Sequence, residues 1–510
     1  MTSARDYHER TKHSVASVQS SRHFLDWDNQ PLPFKIYTEL APIPLPRDGE
    51  HTGVAALEAI ATIAPRAPRR TLPDLRSLAR LLYLSAGITR KQEYPGGQAM
   101  YFRAAACTGA LFHIELYLVC GDLPDLKAGV FHFGPHDFAL RQLRGGDFRA
   151  ALIEATAGEP SIAAAPAVLV CSSTFWRNAW KYQARAYRHS FWDSGTILAN
   201  LLAVAAAEGV PARVVLGFVD GAVNELLGLD TQREVALSLV ALGDRPDLRP
   251  AAAPPQPALT LATQPLSAHE VDYPLIRAAH TASSLATAAE VRAWRTAAVG
   301  ARVPAAPVAV ALQPLAQPPL RSIEDVILHR GSTRRFSHAA IGFGELSTAL
   351  YAATRGVPAD FLAEPAAALA DCYLIVNAVD DLASGAYVLD RARGALERLK
   401  SGDFRRTAGF LDLGQELAAD AAVNFYLLTD LDSVLARLGE RGYRAAQLES
   451  AIIGGKLYLA AYALDLGATG LTFFDDDVTR FFSPHGAGKA VMFLVAAGAP
   501  SRRARARSQP

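Results

Sequence analysis

Arg330, Ser332 and Arg334 alternate through the stretch HRGSTRRF, residues 329–336. Alternate residues of an extended segment project to one side. Two guanidinium forks and a hydroxyl would then face a common ligand. Such groups suit a phosphate, whose oxygens accept charge-assisted and bidentate hydrogen bonds. By spacing alone the cluster is also compatible with a solvated basic turn. Other reactive residues are arranged less favourably. His132 and His136 are four apart in HFGPH, but Gly134 and Pro135 exclude the helix that would turn both toward one metal. His189 and Asp193 have the spacing of a pair on one helical face, which a polar helix entrance explains equally well. Cys107 stands alone, and a lone buried cysteine packs more often than it reacts. The triplets Gly342-Phe343-Gly344 and Gly486-Ala487-Gly488 lack the third glycine and the strand-to-helix setting of a dinucleotide fingerprint.

The elements that must position these residues recur. ELYLVCGDLPDLKAGVFHFGPHDFALRQLRGGDFR is echoed by DCYLIVNAVDDLASGAYVLDRARGALERLKSGDFR, with Tyr117 over Tyr373, Gly129 over Gly385 and Asp147-Phe148 over Asp403-Phe404. The separation is a constant 256 positions, and it carries Tyr187-Arg188 onto Tyr443-Arg444, Phe218 onto Phe474 and Asp220 onto Asp476. A period this long marks a duplicated domain, not a solenoid. Within each copy the coarse order is helix, strand, strand, helix, strand, strand, which predicts α+β layers. RSLARLLYLSAG (Arg76 to Gly87) has helical periodicity, LFHIELYLV and GVFHF are strands, and AVLVC is a short buried strand. A core helix is expected over Ser194 to Gly209, and a last strand at ALSLVAL. Ser322 and Asp325 begin a helix just ahead of the basic cluster.

The division that follows is an N-terminal extension over 1–70, a first domain over 71–243, a Pro/Ala-rich linker over 244–320, a second domain over 321–500 and a basic tail over 501–510. A helix in SLATAAEVRAWRTAAV would pack on the outside. With 510 residues, 50% hydrophobic and 20% charged, the chain reads as well packed and multidomain. A net charge of +1 gives no electrostatic argument for nucleic acid or an acidic membrane. The four cysteines include no CxxC pair, so neither a disulfide framework nor a zinc site is implied. The opening MTSARDYHERTKHS has no apolar signal region, and no run of uncharged apolar residues spans a bilayer, so a cytoplasmic protein is expected.

RGSTRRF between two helices resembles the first flavin-binding segment of the nitroreductase family. YFRAAACTGALFHIELYLV resembles the R-x-x-P-S-x-G-A-x-x-P-x-E-L-Y block of the streptolysin-type (SagB-like) thiazoline and oxazoline dehydrogenases, a branch of that family. LGATGLTFFDDDVTRFF resembles the family's glycine-containing segment beside the flavin ring. The resemblance covers residues 70–243 and 322–499. It implies two tandem nitroreductase-like α/β sandwich domains docked as an intramolecular pseudo-dimer, with FMN bound between them. Carried over residue by residue, Arg330, Ser332 and Arg334 would hold the phosphate. Cys107, Thr108, Gly109, Thr469, Gly470 and Leu471 would border the flavin. Lys181-Tyr182 resembles the lysine-tyrosine pair of the azoline dehydrogenases and would be catalytic, whereas the same offset in the second copy gives Arg437-Leu438.

The departures are informative. The family's proline-serine is Ala106-Cys107 in the first copy, and LAEPAAALADCYLIV in the second has no equivalent at all. APRRTLPD stands in the first copy where the second has RGSTRRF. One seam would thus hold both halves of a site and the other neither, giving one FMN per chain. The implied activity is FMN-dependent dehydrogenation of an azoline ring in a peptide or natural product to an azole. The alternatives are an NAD(P)H-dependent nitro or quinone reductase, and a flavin-free scaffold that binds a peptide or partner enzymes in a maturation complex.

Overall fold

The computed structural model describes residues 3–47, 51–64, 70–93, 99–250, 252–300, 309–364 and 367–501. The basic tail, apart from Ser501, lies outside them. At the centre run two long helices, Ala186–Glu208 and Gly442–Ala463, buried along nearly their whole length. Both start earlier than the apolar pattern indicates. Arg185, Arg188 and His189 are buried too, and their polar heads find partners inside the protein. The helices meet at small residues. A Cβ on Gly195 would lie 2.4 Å from the Cβ of Ala451, and one on Gly455 would lie 2.6 Å from that of Ala199. Both pairs are 256 positions apart, so the contact is reciprocal, as across the two-fold axis of a dimer.

Each copy contributes a seven-stranded, wholly antiparallel sheet with the same strand order. In the first, the strands lie side by side as Pro42–Pro44, Ala139–Gly145, Gly129–Gly134, Ile114–Cys120, Ala167–Thr174, Glu234–Leu242 and Ala212–Val215. In the second they are Ala309–Ala311, Ala395–Ser401, Gly385–Asp390, Ala370–Val376, Val423–Thr429, Ala490–Gly498 and Gly467–Gly470. The strands Ala139–Gly145 and Ala395–Ser401 have no counterpart in the expected order, because their charged residues break the apolar alternation. Arg144 is nevertheless buried, its Nε donating to the carbonyl of Leu226 at 2.8 Å and its Nη1 to that of Pro257 at 2.8 Å. The outermost strands Pro42–Pro44 and Ala309–Ala311 come from the stretches read as extension and linker.

Two further expectations are corrected. The linker helix Ala288–Thr296 turns inward, not outward: Val291 and Trp294 are buried, and the indole donates to the carbonyl of Leu438 at 2.9 Å. The constant offset drops by one before the last helix of each copy, so Asp220 answers to Asp475 and not Asp476. Both begin a helix and both bind paired arginines of the other copy. Arg188 Nη1 donates to Asp475 Oδ1 at 2.6 Å, and Arg444 Nη1 to Asp220 Oδ1 at 2.7 Å. Each arginine also holds a peripheral helix: Arg188 bonds the carbonyl of His8 and the hydroxyl of Thr11, Arg444 the carbonyl of His280 and the hydroxyl of Ser283. No helix among the described residues is long and apolar enough to cross a membrane.

Candidate functional site

Three of the chemistry-bearing segments meet at one seam between the copies. Arg330 follows the helix Ile323–His329, which Ser322 caps by accepting the N–H of Asp325 at 3.1 Å. Its guanidinium crosses to the first copy, Nε donating to the carbonyl of Ala104 at 2.8 Å and Nη2 to that of Arg103 at 3.0 Å. Thr333 donates its N–H to Ala468 of the edge strand Gly467–Gly470 at 2.9 Å. The approach is close enough to require glycine, since a Cβ on Gly467 would sit 2.3 Å from Thr333 Oγ1. Tyr458, from the second central helix, ties the two segments together. Its hydroxyl lies 2.9 Å from Ser332 Oγ and accepts the N–H of Gly470 at 3.2 Å.

The three side chains of the segment do not share one face's ligand but have three different environments. Arg330 serves the opposite copy's backbone, Ser332 serves Tyr458, and Arg334 is exposed with no protein partner among the described residues. Thr469 is buried and pairs with Ala496 across the strand, while Leu471 donates its N–H to Leu494 at 3.3 Å. Beyond them the N–H groups of Thr472 and Phe473 meet no acceptor among the described residues, and the Thr472 hydroxyl is buried without a partner.

On the first copy's side, the Cys107–Gly109 turn is organised by Asp193 of the central helix. The Cys107 thiol donates to Asp193 Oδ2 at 3.0 Å. Thr108 donates to Oδ1 twice, from N–H at 2.9 Å and from its hydroxyl at 2.7 Å. His113 Nε2 lies 3.0 Å from Oδ2, and its Nδ1 lies 3.0 Å from Ser173 Oγ. Burial, reinforced by the Asp193 charge, pushes the Cys107 thiol well above its ordinary pKa. Gly109 has φ +64°, and a Cβ there would lie 2.7 Å from the Tyr182 hydroxyl. The Tyr182 phenol is also raised, by burial and by the nearby Asp193. The Lys181 ammonium sits 5.4 Å from the centre of the Tyr182 ring. The predicted Lys181-Tyr182 pair and the Cys107-Thr108-Gly109 turn therefore adjoin.

Other expectations resolve differently. His189 does not pair with Asp193 but with Asn178 Oδ1 at 2.8 Å. Arg185 and Arg188, close to Lys181 in sequence, are both engaged by Asp475. His132 pairs with Glu115 at 2.9 Å, and no group of three or more metal-binding side chains occurs among the described residues. Sequence reasoning missed Asp193 as the organiser, Tyr458 as the tie, and Arg103. That arginine is buried between Phe34 and Phe112 with its Nε unpartnered, and burial lowers it only to about 10, so it remains a cation. Its signal was present as the arginine preceding the family's proline-serine position.

Among the described residues the seam is rich in donors short of acceptors: the exposed Arg334, two N–H groups and the buried Thr472 hydroxyl. An acceptor-rich phosphate and flavin ring, as in FMN, fit that chemistry.

Comparison with known proteins agrees with the architecture. The chain matches the Nitroreductase family over residues 132–244 and 327–498. It is similar in structure to a nitroreductase-like protein of Anabaena variabilis, with a TM-score of 0.76 and 27% identity over 98% of this chain and 100% of that one. It is 24% identical over 169 residues to the nitroreductase-like protein MJ1384 of Methanocaldococcus jannaschii, covering 33% of this chain and 80% of that protein. It is 29% identical over 152 residues to the microcin B17-processing protein McbC of Escherichia coli. That match takes in 27% of this chain and spans about half, 52%, of McbC. The family match embraces both copies and more than half of the residues, and the fold agrees along the whole chain: the protein belongs to the nitroreductase family.

Proposed function

We propose that the chain is an FMN-dependent oxidoreductase that dehydrogenates azoline rings of a peptide or natural-product substrate to azoles, alongside partner enzymes of a maturation complex. The carrying observation is the meeting of residues 330–333, 467–473 and 103–109 at one seam, fastened by Arg330 on the carbonyls of Arg103 and Ala104. Similarity to a microcin B17-processing protein supports a peptide substrate. Arg330, Ser332 and Arg334 would hold the phosphate, while the Thr472 and Phe473 N–H groups and the Cys107–Gly109 turn would border the ring. When bound, FMN supplies the hydride acceptor.

The chain's own residues manage the proton. Lys181, as base, removes the proton from the azoline ring carbon, which requires hydrogen-bond reach of that carbon in the substrate complex. Tyr182 stays protonated through burial and orients the substrate as a donor beside Gly109. An absorption spectrum of the purified protein tests the cofactor, and a colourless chain that takes up no FMN ends the reading. Lys181→Ala with Tyr182→Phe should keep the yellow colour yet turn over a peptide azoline at least about a hundredfold more slowly, the lower end of general acid–base contributions. Wild-type turnover would place the base elsewhere. Rapid bleaching by NADPH, with no azoline oxidation, would instead mark a nitro or quinone reductase.

A further inference from the structure

The opposite seam, related to the first by the internal two-fold, is built on the edge strand Ala212–Val215 and the turn after it. Here the chain has covered itself. Val214 donates its N–H to the carbonyl of Pro358 at 2.8 Å, and Asp360 returns its own N–H to Val214 at 3.1 Å. The Asp360 carboxylate then accepts both N–H groups that follow the strand, Leu216 to Oδ1 at 2.9 Å and Gly217 to Oδ2 at 2.8 Å. In the corresponding turn of the first seam, Leu471, which answers to Leu216, donates to Leu494 at 3.3 Å, while the N–H of Thr472, which answers to Gly217, and that of Phe473 after it meet no acceptor among the described residues.

Size follows the same contrast. The segment from Asp360 to the strand beginning at Ala370 has the same length as that from Ala104 to Ile114. At matching places the first seam has Ala104-Ala105-Ala106 and the second Asp360-Phe361-Leu362, with Phe361 and Leu362 buried. Trp294 of the linker helix closes the remaining side, since a Cβ on Gly217 would lie 3.2 Å from its ring. The position matching Lys181-Tyr182 is Arg437-Leu438. Arg437 donates to the carbonyls of Ala297 and Ala298, and Leu438 accepts the Trp294 indole.

We infer that the second seam is a former cofactor cleft sealed by the chain's own segment 358–362, in which the Asp360 carboxylate occupies the donors a ligand would take, so that the chain carries a single flavin cleft at the first seam. The count rests on the functional reading above; the seal does not. Burial raises the Asp360 carboxyl to about 6 against the pull of its two N–H donors, so the cap is ionised above that pH. Large side chains stand where the first seam has alanines, which makes the closure one of volume as well as hydrogen bonding.

The full chain, stripped of flavin, is titrated with FMN and followed by hydrogen exchange. One FMN per chain is expected, with protection appearing at the Thr472 and Phe473 amides. The Leu216 and Gly217 amides should exchange slowly before FMN is added and remain unchanged after it. Asp360→Ala should speed exchange at those two amides at least tenfold while FMN affinity changes less than threefold. Should that variant not fold, Asp360→Asn, which keeps one strong acceptor, should speed one of the two. Two FMN per chain, fast exchange at 216–217 in the apo chain, or new protection there on adding FMN would overturn the inference. Absence of any FMN binding would sink the functional reading, and the 216–217 amides would still decide whether the seam is sealed.

Discussion

Two arginines of one short motif carry different loads. Arg330 fastens the copies through main-chain carbonyls, so Arg330→Ala removes charged hydrogen bonds worth roughly 1.5–3 kcal/mol each as well as the proposed phosphate contact. Arg334 is exposed and unpartnered among the described residues, so Arg334→Ala should leave the melting temperature unchanged and weaken FMN binding at least about tenfold, the value of one charge-assisted contact. Equal flavin retention by that variant and the wild type would return Arg334 to the solvent. Cys107 permits a second test. Its thiol is a donor to Asp193 and is held protonated, and the thiolate is the nucleophile. At pH 8, iodoacetamide should modify Cys107 at least tenfold more slowly than a free thiol, and Asp193→Asn should speed the reaction. Rapid alkylation in the wild-type chain would contradict the hydrogen-bonded thiol. The residue types of this site were visible in the sequence, but its organiser was not. Asp193 seemed paired with His189 four residues earlier, and only the fold brings residues 107, 108 and 113 onto its carboxylate.

Elements were most legible where a single force shaped them. The helix Leu75–Ala86 lies within one residue of expectation, because Asp74 caps it by accepting the N–H of Ser77 at 2.7 Å and Gly87 follows its end. The N-terminal helix Ala4–Arg10 was unreadable, since the reasons for its position lie hundreds of residues away. Tyr7 is buried against Tyr187 and Tyr443, and Arg188 bonds the carbonyl of His8. This docking has a pH dependence of definite sign. Burial, together with the Arg185 and Arg188 charges, holds His8 well below its ordinary value and lowers His13 to about 3. Asp475, although burial opposes it, is kept ionised by the same arginines. The released helix has histidines that protonate near about 6.5, whereas the docked ones stay neutral. Docking stability is therefore present above about pH 6.5 and is lost as pH falls toward the docked values. Amides of residues 4–10 should exchange faster relative to their intrinsic rates at pH 5 than at 7.5, and His8→Gln with His13→Gln should flatten the change. Equal protection at both pH values would remove the argument.

At the scale of the whole molecule, stability and the candidate site share one surface. The duplication makes the contact between copies intramolecular, so a seam that would be weak between separate chains is held at high effective concentration. Its tightest point is the crossing of the central helices, where Gly195 faces Ala451 and Gly455 faces Ala199. Gly195→Val would drive new carbon atoms into the backbone of Ala451 and Ile452, and neither helix can yield without moving its sheet. Overpacking of this kind costs about 1–3 kcal/mol, and here it should also part the segments 103–109 and 467–473 that belong to different copies. Melting temperature and FMN affinity should fall together. Gly221 is the control: it is a helical glycine with nothing within 4 Å of its would-be Cβ, so Gly221→Ala should add about 0.5–1 kcal/mol of stability and leave flavin binding untouched. If Gly195→Val lowers the melting temperature but binds FMN as tightly as the wild type, the cofactor is held within one copy, and the seam serves only to join them.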